Sequence, residues 1–87
     1  MIDNKEKQRF EAEESGHLVF VNYRMHDGRY ILTHAEADPD LRGKGAAARL
    51  MEAIAAHARA HGYKLMPRCS YAVDWFERHP EAHDLIG

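Results

Sequence analysis

The sequence predicts an α+β domain in which an antiparallel three-strand meander feeds a single parallel crossover. Three observations point there. Residues 17–25 and 29–37 alternate apolar and polar side chains around the pair Asp27-Gly28, the pattern of two half-buried strands joined by a tight hairpin. A run from Lys44 to His61 repeats its apolar residues at helical spacing. A short apolar run, Tyr63 to Met66, comes next. A strand, a helix and a strand in succession make a right-handed crossover, so the outer two lie parallel.

Taken in order, Met1 to Gln8 is polar and is expected to fray. Arg9 to Glu13 reads as a first strand with Phe10 and Ala12 on one face, closed by the turn signal Glu14-Ser15-Gly16. In the second strand Val19, Val21, Tyr23 and Met25 point one way. In the third, strict alternation puts Tyr30, Leu32, His34 and Glu36 on one face and Ile31, Thr33, Ala35 and Ala37 on the other. In the Lys44–His61 helix, Ala47, Leu50, Met51, Ile54 and Ala58 fall within an arc of about 100°, and Gly62 ends it. Pro67 ends the short strand. A second helix then starts near Cys69 with Ser70 as the expected N-cap, and Pro80 limits it to about His79. Leu85 and Ile86 read as a terminal apolar anchor.

The chain has 87 residues, enough for one small domain spanning 1–87. Its net charge of −2 lacks the basic excess that nucleic-acid binding requires. No apolar run approaches the roughly 18 residues needed to cross a membrane. The opening MIDNKEKQRF has no apolar core of the kind a secretory signal carries. The single cysteine, Cys69, excludes an intrachain disulfide and fits a reducing, cytoplasmic setting.

The richest stretch is Asp38 to Ala47, D-P-D-L-R-G-K-G-A-A. It lies between a strand and a helix. The first N–H groups of a helix have no intrahelical partner, and the macrodipole adds partial positive charge there. Gly43 and Gly45 let an anion approach the backbone, and Arg42 adds a cation. The stretch reads as a pyrophosphate loop. It has neither the G-K-[ST] of a Walker loop nor the spacing of a dinucleotide fingerprint.

The same residues resemble the acetyl-CoA loop of the GNAT acetyltransferase superfamily, R/Q-x-x-G-x-G/A, with Arg42, Gly45 and Ala47 at its defining positions. Further on, Met66-Pro67-Arg68-Cys69-Ser70-Tyr71 resembles the P-x-C-S-Y segment of a compact GNAT-like family, and His79-Pro80-Glu81 with Asp84-Leu85-Ile86 is similar to that family's ending. The resemblance covers residues 17–86. It implies a minimal GNAT-like fold and an N-acetyltransferase that takes acetyl-CoA as donor and a small-molecule or protein amine as acceptor. It places the CoA pyrophosphate on the backbone of Arg42, Gly43, Lys44, Gly45, Ala46 and Ala47, and the pantetheine arm on the strand edge at Ala35, Glu36 and Ala37. The chain departs from larger GNAT enzymes in lacking their two N-terminal helices and C-terminal strand pair. An acyl-CoA-binding module with little or no turnover is therefore the second reading.

Three residues are the catalytic candidates. Cys69 follows the short parallel strand, and a helix N-terminus favours its thiolate, so it offers a nucleophile as well as a small core side chain. His34 is a candidate general base, with Glu36 as the weaker alternative. Tyr71 is a candidate proton donor to the departing CoA thiolate, by the family's precedent, or an aromatic core residue. His57 and His61 have the i,i+4 spacing of a metal pair but no completing ligands, so no metal is expected and both read as a solvated helix flank.

Overall fold

The computed structural model describes residues 1–87. Its elements are β1 (Ile2–Asn4), β2 (Arg9–Glu14), β3 (His17–His26), β4 (Arg29–Ala37), α1 (Ala46–His61), β5 (Lys64–Pro67) and α2 (Ser70–Arg78), with short 3₁₀ turns at Pro39–Leu41 and Pro80–Leu85. One sheet runs β1-β2-β3-β4-β5. All neighbours are antiparallel except β4 and β5, which are parallel across the α1 crossover. The α+β architecture is the expected one.

The amino terminus is not frayed. Ile2–Asn4 pairs with Arg9–Glu11, making the antiparallel meander four strands rather than three. Side chains hold it there: the Tyr23 hydroxyl donates to Asp3 Oδ1 at 2.5 Å, and the Lys7 N–H donates to Asn4 Oδ1 at 3.1 Å. A polar stretch can pair when its few polar side chains find partners, which composition alone does not reveal.

The β2–β3 and β3–β4 hairpins turn through Ser15-Gly16 and Asp27-Gly28, all four with positive φ. That is the twist-matched geometry of two-residue hairpins. The core lies on the α1 face of the sheet. Phe10, Val19, Val21, Leu32 and Leu65 meet Leu50, Met51, Ile54 and Ala58 of α1 and Ala72, Trp75 and Phe76 of α2. Burying each large aliphatic side chain here contributes about 1.5–3 kcal/mol. Leu85 joins this core, and Ile86 forms a bridge to Leu65. On the opposite sheet face none of Glu11, Leu18, Phe20, Ile31, His34, Glu36 or Met66 is buried.

One expectation about β4 fails, and it matters for the site. The β3–β4 register slips at Asn22/Tyr23: Tyr23 faces Leu32, yet Asn22 faces His34, so Thr33 is an extra residue. Such a bulge reverses the in–out parity of everything after it. Tyr30 and Leu32 are buried, but His34 and Glu36 lie exposed on the other face, and Ala35 and Ala37 pack against the core instead. Two helix starts also differ. Gly45 adopts φ 81°, ψ 10°, so α1 begins at Ala46 rather than Lys44. Cys69, extended at φ −85°, ψ 152°, caps α2 without a side-chain hydrogen bond, leaving Ser70 as the first helical residue. No helix is long and apolar enough to cross a membrane.

Candidate functional site

The site begins where β4 outruns β5. Their last paired residues are Leu32 and Pro67. The Leu32 carbonyl then accepts both the Arg68 N–H at 2.9 Å and the Cys69 N–H at 3.2 Å. This double bond to one acceptor turns the chain out of the sheet and into α2. Residues 33–37 of β4 have no strand beside them on that edge.

The β3 side of the same segment is paired. The Asp38 N–H donates to the Leu18 carbonyl at 2.9 Å, in register with Glu36 opposite Phe20 and His34 opposite Asn22. Backbone groups alternate sides along an antiparallel strand. Those of His34 and Glu36 therefore face β3, and those of Ala35 and Ala37 face the open gap.

Beyond β4 the chain makes a 3₁₀ turn, capped by the Asp38 carboxylate accepting from the Asp40 N–H at 2.9 Å. This bond, with a smaller contribution from His17, holds the Asp38 carboxyl below its ordinary range. The imidazole of His17 lies between two carboxylates, Nδ1 3.5 Å from Asp38 and Nε2 3.4 Å from Asp40. Its two ring nitrogens face different acids, and one ligand atom from each of the three side chains lies within 4.8 Å of the others.

The loop then passes Gly43 and Gly45, both with positive φ. The Arg42 N–H bonds the Pro39 carbonyl and the Lys44 N–H bonds the Leu41 carbonyl. The N–H groups of Gly43, Gly45, Ala46, Ala47 and Ala48 have no acceptor, and α1 has no side-chain N-cap. These donors and the open edge of β4 border one groove of about 430 Å³.

Most of the expected ligand-binding residues line this groove: Ala35, Glu36, Ala37, Arg42, Gly43, Gly45, Ala46 and Ala47. Lys44 does not. It faces a separate depression with Glu14, His17, Asp40 and Arg49. Tyr71, in the first turn of α2, closes the groove from the far side, and burial pushes its phenol above the ordinary value. His34 and Cys69 are not among the lining residues. His34 lies on the open sheet face, its Nε2 3.4 Å from Glu36 Oε1 and its ring 6.4 Å from that of Phe20. Cys69 is half-buried against the core edge where β4 and β5 part. Sequence reasoning missed Leu41 and Ala48, which complete the apolar wall. The run of three alanines at 46–48 was the available signal for a helix end a ligand can approach closely.

His57 and His61 lie close, with ring centroids 4.4 Å apart and the rings tilted by 49°, but His57 is not a solvated flank residue. Its ring packs edge-on to Phe10 at 5.6 Å, and burial lowers its basicity.

A strand edge opened by a splayed neighbour, running into free amides at a helix start, matches the family the loop motif resembles. Residues 9–85 match the family model described as GCN5-related N-acetyl-transferase. The chain belongs to this family. A search of curated proteins returned no match. The GNAT assignment supports acetyl transfer in general as the chemistry of this domain. A pyrophosphate needs hydrogen-bond donors and positive potential, which the free amides and Arg42 supply. A pantetheine arm carries amides, which can pair with an exposed strand edge.

Proposed function

We propose that this domain is an acetyl-CoA-dependent N-acetyltransferase that moves an acetyl group directly to an amine. The observation that carries the reading is the continuity of one groove from five unpaired N–H groups, at Gly43 and Gly45–Ala48, to the unpaired edge at Ala35 and Ala37. The amides take the pyrophosphate and Arg42 pairs with it from the mouth. The edge of β4 takes the pantetheine, so the thioester arrives between β4 and the start of α2.

The chemistry asked of the protein is then modest. The acceptor nitrogen must be neutral to attack the thioester carbonyl. Glu36, which borders the groove, and His34, its Nε2 3.4 Å from Glu36 Oε1 on the open face, form the candidate base that removes its proton. As the carbon–sulfur bond breaks, Tyr71 gives its proton to the leaving sulfur. A phenol is protonated near neutral pH and so has that proton to give. Proximity supplies most of the rate, because donor and acceptor are held in one geometry.

A second reading routes the acetyl through Cys69. It is favoured by the position of Cys69 at the point where β4 and β5 separate, two residues before Tyr71. In that route the thiolate attacks the thioester and CoA leaves as its thiol. The amine then takes the acetyl from the cysteine sulfur.

Isothermal titration with acetyl-CoA, followed by an amine panel scored for CoA thiol release, tests the proposal. Binding that weakens in Arg42→Ala, with thiol release dependent on an amine, is expected. Binding with no release for any amine would leave a CoA-binding module, and no binding would overturn the reading. Intact mass after acetyl-CoA alone separates the routes: an added acetyl that disappears in Cys69→Ala establishes the covalent one.

A further inference from the structure

At the other end of the sheet, roughly 17 Å along β4 from Ala35, lies a cluster that acetyl transfer does not use. Tyr23 and Tyr30 come from the two arms of the β3–β4 hairpin and Tyr63 from the segment after α1. Their rings form a chain, Tyr23 to Tyr30 at 4.9 Å and 81°, and Tyr30 to Tyr63 at 5.0 Å and 62°. All three border one pocket of about 290 Å³, together with Asp3, Lys5 and Met25.

Three features set this pocket apart from ordinary aromatic core. Tyr30 is only 5% exposed, yet its hydroxyl makes no hydrogen bond within the protein, and it borders the pocket. The ring is buried while the oxygen reaches the open pocket, so it is a free polar atom at the pocket wall. Asp3 is half-buried and carries a charge. It accepts one bond, from the Tyr23 hydroxyl, and no cation lies within ion-pair distance of it. Lys5, exposed and bordering the same pocket, makes no ion pair with Asp3. The pocket thus combines an unneutralised carboxylate, a free phenol oxygen and three electron-rich rings set at steep angles. Each of these attracts positive charge: the carboxylate by its charge, the oxygen by its lone pairs, the rings by their quadrupoles. The rings meet edge to face rather than parallel, which leaves no stacked slot for a flat aromatic molecule.

We infer that the pocket formed by Asp3, Tyr23, Tyr30 and Tyr63 binds the head group of an organic ammonium ion. The volume admits an alkylammonium and not a large heterocycle. The site stands on its own residues and is independent of whether the groove takes acetyl-CoA. It also gives the amino-terminal strand a purpose beyond stability, because β1 is what carries Asp3 to the rings.

The experiment is an NMR titration of the tyrosine ring signals of the full chain with three probes. Choline and ethanolamine carry methylated and primary ammonium groups. 3,3-Dimethylbutan-1-ol is the uncharged carbon counterpart of choline. Saturable shifts of the Tyr23, Tyr30 and Tyr63 signals with at least one cation, and none with the alcohol, are expected. A response to choline alone assigns a methylated head group, and one to ethanolamine alone a primary amine. Asp3→Asn keeps an acceptor for the Tyr23 hydroxyl while removing the charge, and should weaken binding about fivefold or more. Tyr63→Leu should weaken it similarly, with the Trp75 indole signal reporting that each variant remains folded. The inference is overturned if neither cation moves the rings, if the alcohol moves them as much as choline does, or if Asp3→Asn binds as the parent does.

Discussion

Arg49 grips Glu14 with two hydrogen bonds, Nε to Oε2 at 2.9 Å and Nη2 to Oε1 at 2.6 Å, and the same Nη2 donates to the Lys44 carbonyl at 2.8 Å. One guanidinium therefore ties the β2–β3 turn to the glycine loop. The pairing lowers the Glu14 carboxyl and raises Arg49, each chiefly through their mutual hydrogen bonds. Both side chains are reached by solvent, so the pair adds little to global stability. Its effect is local, fixing the carbonyl before Gly45 and with it the direction of the free amides.

Arg49→Ala should accordingly leave the thermal midpoint nearly unchanged while weakening acetyl-CoA binding roughly fivefold, the cost of ordering a loop that was held ready. Calorimetry and thermal denaturation of the same sample check both halves. A large drop in midpoint with unchanged affinity would assign Arg49 a purely structural role.

Gly45 and Gly62 permit a matched comparison. Both cap α1 in the left-handed region, Gly45 at φ 81° and Gly62 at φ 74°. A Cβ at Gly45 would stand 3.0 Å from Arg49 Nη1, whereas one at Gly62 would meet nothing within 4 Å. Alanine at either position should cost about 1–2 kcal/mol of stability through backbone strain, read by urea denaturation. Only Gly45→Ala should also weaken acetyl-CoA binding, because only that glycine borders the groove. Equal affinities in the two variants would count against the loop as the pyrophosphate site.

Tyr71→Phe keeps the ring that closes the groove and removes the proton. The amine-dependent rate should fall about a hundredfold with KM for acetyl-CoA little changed. Desolvation, partly offset by Arg78, moves the phenol up from its ordinary value. Any loss of rate from its ionisation must therefore lie on the alkaline side of that value. Steady-state kinetics across pH in both proteins test this. An unchanged kcat in Tyr71→Phe would remove it from the proton path.

The sequence made the meander, the crossover and the ligand loop legible because each depends on local rules. Hairpin turns need positive φ, a helix face needs its period, and an anion site needs glycines at a helix start. What it hid depends on contacts distant along the chain. Thr33 looks like any strand residue, and only its pairing against Asn22 shows that it is extra. That one residue moved His34 and Glu36 to the open face and brought Ala35 and Ala37 to the core. Asp3 gave no sign of order until Tyr23, twenty positions later, donated to it. Likewise nothing in the residues around Lys44 indicates that Arg49 and Glu14 would draw that side of the loop away from the groove.

His57 makes the domain's stability depend on pH in a defined direction. Burial against Phe10 lowers its basicity below the ordinary 6.5, and the neighbouring His61 charge adds to this; Asp3 opposes the shift and Lys5 reinforces it. A group depressed on folding stays neutral in the folded chain while the unfolded chain takes up a proton. Stability from neutral His57 is thus complete above pH 6.5 and is lost as pH falls through its lower folded value. His57→Gln cannot titrate, so its thermal midpoint should fall less than the parent's between about pH 7 and pH 5. All other titrating groups are shared by the two proteins, so the difference between their pH profiles isolates His57. Parallel profiles would mean that the ring gains as much from solvent and Asp3 when charged as it loses by burial.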